Sequence, residues 1–184
     1  MTDETKEYRK LLFGVRRSVR YHSRRRQHYE LFHKTVLFLA LILGSVTVAA
    51  FAEAIGDTWA TWVKALPAAL VSILAALDLI LGSSTKSWQH ADLTRRFIDL
   101  ERELEIRKGE PLDTLVPEIT DKRLEIETTE PPVLRVLDTI CHNELLRAMG
   151  YDRKEEVKVT LIQRLCAPIC DVAEWTLHPR NIKG

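Results

Sequence analysis

The chain has 184 residues, 46% hydrophobic and 29% charged, with a formal net charge of +1. That length allows one domain, or a domain plus an appendage; the apolar content excludes a disordered chain, and the three cysteines (Cys141, Cys166, Cys170) are too few for a disulfide scaffold and odd in number, as suits a reducing compartment. A pI near 7.8 argues against a dedicated nucleic-acid binder, so no nucleic acid is expected as a partner.

Leu11, Leu12, Val15, Val19, His22 and Tyr29 recur at spacings of three, four and seven, which predicts an amphipathic N-terminal helix over residues 1–34 with a basic polar face. Its tract Ser23-Arg24-Arg25-Arg26-Gln27-His28 lies within a dozen residues of an apolar run, where Arg24, Arg25 and Arg26 fix topology and meet anionic lipid. A nucleic-acid role would call for interleaved aromatics and a wider basic surface.

No charged residue occurs between Lys34 and Glu53, and Thr35 to Ala52 is apolar on every helical face. Eighteen such residues give about 27 Å of helix, against a bilayer core of roughly 30 Å. A second run, Ala65 to Leu81, is similar but carries Asp78 near its end. The reading is a transmembrane hairpin over residues 35–82, with spans at 35–52 and 65–81. The alternative, a soluble two-helix core, leaves too little apolar surface elsewhere to wrap two helices that are apolar all round. With 34 residues ahead of it, the first run does not resemble a signal peptide. Lysine and arginine number seven between residues 15 and 34 and three between 82 and 101, against Lys64 alone in the 53–64 connection, so both termini are expected to be cytoplasmic. Trp59 and Trp62 in that connection, and Trp88 beyond the second run, stand where indole rings favour the headgroup layer.

Residues 83–184 read as a cytoplasmic helical region. Leu93, Phe97, Leu100 and Leu104 form the seam of a helix that packs on another helix and continues from the second span; Gly109 and Pro111 stop it. A helix around 113–129 ends at Glu130-Pro131-Pro132. Another, marked by Leu134, Leu137, Cys141, Leu145 and Ala148, closes at Gly150. The last, about 155–176, would place Ile162, Leu165, Cys166, Ile169, Val172 and Ala173 on one side and kink at Pro168. No segment alternates as a strand does, so the fold class is all-α.

Asp78 is the most provocative residue, since a carboxylate at the bilayer centre costs roughly 2.5–3.5 kcal/mol on insertion scales and must face protein or water. Either it lines, with Ser72, a polar path in an oligomer, or it is hydrated or paired with a basic side chain close to Gly82. Ala40 and Gly44 in the first run, and Ala65, Ala68, Ala69, Ser72, Ala75 and Ala76 in the second, allow close helix approach, within one chain or between chains. Cys141-His142-Asn143-Glu144 offers ligand-type side chains that point in different directions on a helix, and Cys166 with Cys170 does not complete a zinc site, so no metal or cofactor is expected. Walker, Gly-x-Ser-x-Gly, His-Glu-x-x-His and dinucleotide motifs are absent from the sequence, and His90 with Asp92 is too local for an acid–base pair; no catalytic residue and no enzyme activity are expected.

Val19-Arg20-Tyr21-His22-Ser23-Arg24-Arg25-Arg26, then Ala76-Leu77-Asp78-Leu79, then Ala91-Asp92-Leu93-Thr94-Arg95-Arg96-Phe97-Ile98-Asp99-Leu100-Glu101, in this order about two spans, resembles the SLATT family, the SMODS- and SLOG-associating two-transmembrane effectors. Glu130-Pro131-Pro132 and Cys141-His142-Asn143-Glu144-Leu145-Leu146-Arg147-Ala148-Met149-Gly150 look like the cytoplasmic helices of stand-alone members. The resemblance spans roughly residues 10–151. It implies a multi-pass protein of the bacterial inner membrane that oligomerises and permeabilises or perturbs that membrane in antiphage or mobile-element conflict. No appended nucleotide-sensing domain is seen, which places the trigger in the cytoplasmic helices or in a cytoplasmic sensor partner. The expected partners are thus membrane lipids, further copies of the chain and such a regulator. The competing expectation is a non-conducting membrane scaffold that recruits a cytoplasmic protein.

Overall fold

A computed structural model describes residues 3–52 and 58–177, with the side chains at 3, 46, 47, 49–52, 58–65, 153 and 175 outside the description. The architecture is helical, as the periodicities predict, and no strand occurs among the described residues. The elements are α1 (Asp3–Ala52), α2 (Thr58–Leu81), α3 (Ser83–Ile106), α4 (Leu112–Glu127), α5 (Arg135–Ala148) and α6 (Leu161–Cys166), with 3-10 turns at Arg153–Glu155 and Glu174–Thr176. They divide into two compact units, one formed by residues up to Arg25 together with those from His90 onward, the other by Arg26–Gln89.

In the first unit the apolar stripe of α1 is buried in protein. Tyr8, Leu11, Leu12 and Val15 meet Leu93, Phe97, Leu100 and Leu104 of α3, and Leu115, Ile119 and Ile126 of α4 close the core. Removing each such side chain from water stabilises the unit by roughly 1.5–3 kcal/mol. Arg16 flanks the seam, donating to Glu101 at 2.7 Å and Glu105 at 2.9 Å. A second cluster joins Tyr21 to Val136, Leu137, Cys141 and Ala167. The partner of the α3 seam is therefore this chain's own α1 and α4.

The helix ends follow local chemistry. Gly150 takes φ +73°, its N–H donating to Arg147 O and that of Tyr151 to Leu146 O, the paired bonds of a Schellman motif closing α5. At the other end of α5 the N-cap position is Leu134, which has no capping side chain; the Asp171 carboxylate accepts instead from the N–H groups of Arg135 (2.8 Å) and Val136 (2.9 Å). Gly82, at φ +59°, separates α2 from α3, so the helix does not run unbroken out of the second apolar segment as its pattern suggests.

The expected helix over 155–176 is replaced by six residues of α6 and irregular chain. Val157 is occupied by the Asn143 side chain, which accepts from its N–H (2.9 Å) and donates to its C=O (2.7 Å). Thr160 and Gln163 then form a capping box that starts the helix at Leu161. Pro168 has no N–H with which to continue it. Beyond Cys170 the chain turns back, Ala173 left-handed at φ 51°, its carbonyl and Thr176 Oγ1 taking hydrogen bonds from Gln163 Nε2.

In the second unit the described large side chains of the first apolar run are mostly exposed (Leu37, Phe38, Leu39, Leu41, Ile42 and Val48), with Leu43 half-buried and Val36 buried. Leu66, Leu70, Ile73, Leu77, Leu79, Ile80 and Leu81 of α2 are exposed as well, Leu79 at 82%. Among the described residues one helical run, Leu66–Ile106, is long and apolar enough to cross a membrane by length and composition, and 6% of its apolar window is buried. Side chains needed to judge the first run in the same way lie outside the description.

Two measurements check the packing of the first unit. Phe97→Ala is expected to cost about 3–5 kcal/mol in chemical denaturation of the full chain, while Ile98→Ala on the exposed side of the same helix stays within about 0.5 kcal/mol. The second concerns Glu118, held down at about 2 by hydrogen bonds from Arg107 and then Lys122, with Glu103 lowered by Lys122 and Arg107. A lowered carboxylate contributes stability that is complete above its unfolded value and lost as pH falls through its folded one. Melting temperature is thus expected to drop as pH falls from the ordinary carboxylate range towards about 2, and Glu118→Gln to flatten that drop.

Candidate functional site

Asp78 comes near the C-terminal end of α2, flanked by Leu77, Leu79 and Ile80, all exposed. Its carboxylate is not left alone: Oδ2 lies 2.7 Å from His33 Nδ1, on the last turn of α1 before the uncharged run. With an ionised carboxylate as acceptor, His33 Nδ1 carries the proton. The second oxygen, Oδ1, is buried with no hydrogen-bond partner among the described residues, as is Ser83 Oγ just past Gly82. A desolvated carboxylate oxygen without a donor is costly and retains unused capacity to accept from water, a cation or another side chain. At the same end of this unit Lys86 Nζ sits 5.7 Å from the Tyr29 ring centroid, Lys34 donates to Glu30 at 2.7 Å, and Arg26 approaches Glu30 at 3.7 Å.

The remaining predicted residues of this unit disperse. Ser72 is exposed and its hydroxyl returns to Ala68 O at 2.9 Å, as Ser45 does to Leu41 O, so Ser72 is satisfied by its own helix and makes no recorded bond to Asp78. A Cβ at Gly44 would meet nothing within 4 Å among the described residues. Ala68 is half-buried and Ala75 exposed. Trp59 and Trp62 belong to α2, but their side chains lie outside the described residues; Trp88 is 76% exposed.

The basic tract is largely engaged in protein. Arg24 donates to Glu144 at 2.6 Å and Arg25 to the Pro168 carbonyl at 2.6 Å. Leu93, Phe97, Leu100 and Leu104 are all buried in the first unit's core. Along α5, Cys141 is enclosed, with burial pushing its thiol up to about 12; His142 stacks edge-on to Phe13, Asn143 clamps Val157, and Glu144 takes Arg24. The four successive side chains thus serve four different neighbours.

The first unit also holds a buried polar relay. His22 Nε2 is 3.2 Å from Glu130 Oε1, and His22 Nδ1 is 3.0 Å from His90 Nδ1. If Glu130 accepts from Nε2–H, a single proton occupies the line between the two Nδ1 atoms, and His22 lies flat on Phe97 at 5.5 Å. A cavity of about 250 Å³ opens beside it, lined in part by Arg17, Arg123, Glu130 and Asp138. Burial raises the Asp138 carboxyl against the pull of Arg17 at 3.2 Å.

The sequence does not single out His33, and it marks His22 only as a stripe residue and His90 only as a neighbour of Asp92, not as a pair. His33 carries a signal: it is the last neutral polar residue before the uncharged run, as Asp78 is the sole acid within the second. His22 was visible on the apolar stripe of α1, but its partners lie 68 and 108 positions away.

Comparison with family models, curated proteins and solved structures finds no match to this chain.

A double-mutant cycle of His33→Gln and Asp78→Asn, read by denaturation in detergent, is expected to give a coupling of about 1–2 kcal/mol; strictly additive effects would show that the contact carries no free energy.

Proposed function

We propose that this chain is a non-enzymatic, two-span effector of the SLATT type, a multi-pass protein of the bacterial inner membrane with both termini cytoplasmic. Several copies associate through the spans and permeabilise the membrane, under the control of a cytoplasmic regulator. The observation that carries this reading is the His33–Asp78 pair among exposed apolar side chains, with one carboxylate oxygen buried and unanswered. Ionisable groups at membrane depth are costly and characteristically mark ion or proton pathways. Two helices cannot enclose water, so a path requires further copies. Open space at Gly44 and exposed Ala75 supply surfaces on which another helix can approach.

The resemblance to SLATT effectors supports the same assignment, and the exposed leucines and isoleucines of α2 match a lipid-facing surface. The scaffold reading draws on the well-packed first unit, which has its own core and could present a docking module. Exchange of residues 34–82 for an unrelated two-span hairpin separates the two: a scaffold keeps its activity and a pore loses it.

Reconstituted into liposomes, the parent is expected to release a trapped ion, and Asp78→Asn to lower that flux or alter its cation preference about tenfold, the scale of an approximately 1.4 kcal/mol change. Unchanged flux and preference would remove Asp78 from the path, and no flux from the parent under any trigger would favour the scaffold.

A further inference from the structure

In α6 and the turn after it the usual amphipathic order is inverted. Gln163 is 2% exposed and Ala167 fully buried, while Leu161 (73%), Ile162 (66%), Leu165 (71%) and Ile169 (69%) stand outside. The inversion is held from beneath: Gln163 Nε2 donates to Ala173 O and Thr176 Oγ1, Arg25 donates to Pro168 O, and Asp171 caps α5. These ties stop the segment from rolling over to bury its leucines. Four neighbouring large aliphatic side chains kept in water would forfeit roughly 1.5–3 kcal/mol each, so something covers them.

We propose that Leu161, Ile162, Leu165 and Ile169 form an interfacial docking face that inserts into a bilayer surface containing anionic phospholipid. This rests on the membrane reading above and adds a second contact, made by the first unit. A short apolar face with cations at its edge is the pattern of a segment that lies in the interfacial layer of an anionic bilayer. Charge agrees with it. Arg164 and Lys158 are exposed beside the patch, placed to meet phosphate headgroups while the aliphatic chains enter the acyl boundary.

The test is site-directed spin labelling of the full chain in vesicles of phosphatidylcholine with phosphatidylglycerol. Cys166→Ser and Cys170→Ser remove the accessible thiols, and Cys141 stays because it is enclosed. Labels are placed one at a time through Leu165→Cys, Lys154→Cys as the aqueous reference, and Leu79→Cys as the reference for the span. The ratio of oxygen to nickel-chelate collisions at position 165 is expected to exceed that at 154 by about tenfold, and to fall on Arg164→Glu or in phosphatidylcholine alone. A label at 165 as open to the nickel chelate as that at 154, with 79 protected, overturns the docking face and leaves the membrane reading standing. Dipolar broadening between labels at 165, insensitive to Arg164→Glu and lipid charge, also overturns it, by showing a second copy on the face. Exposure at 79 as well overturns both.

Discussion

Apolar surface that none of the described residues covers is the constraint on which the rest depends. Leu37, Phe38 and Leu41 of α1 and Leu66, Ile73, Leu79 and Ile80 of α2 are left open, while the other unit buries Phe97, Leu104, Leu115 and Ile119 completely. The same chain therefore contains a region whose apolar side chains are packed in protein and one whose described apolar side chains largely are not. Lipid supplies the missing cover in our reading, and the polar groups of the second unit acquire meaning from it: in water an exposed-edge histidine–aspartate contact is ordinary, but in hydrocarbon its geometry and its unanswered oxygen become functional features.

The two units share helices but use their polar residues differently. In the first, charge is bound up in protein, with Arg16 on Glu101, Arg24 on Glu144 and Arg147 on Glu156. Arg24 and Arg25, expected from sequence to meet lipid, make bonds to α5 and to the segment after α6. Arg25 thereby ties that segment to the basic tract through protein.

Legibility from sequence tracks the range of the interactions. The α3 seam, the stop at Pro111, the start of α4 and the close of α5 at Gly150 all rest on local periodicity or on a residue with a special backbone preference, and they are readable. The 155–176 helix fails because its fate is decided at a distance: Asn143 holds Val157 in an extended conformation, and Asp171 is drawn away to cap α5. An apolar spacing of three and four there signals an outward face, not a buried one. The His33–Asp78 and His22–His90–Glu130 contacts join positions 45 to 108 apart and leave no local pattern. Asp78 itself was conspicuous because its neighbours are apolar; its partner was not.

Alkaline carbonate extraction of cells expressing the full chain tests the central claim most directly. Retention in the membrane pellet, with release only by detergent, is the predicted result. Recovery in the aqueous fraction as a folded helical monomer would contradict it.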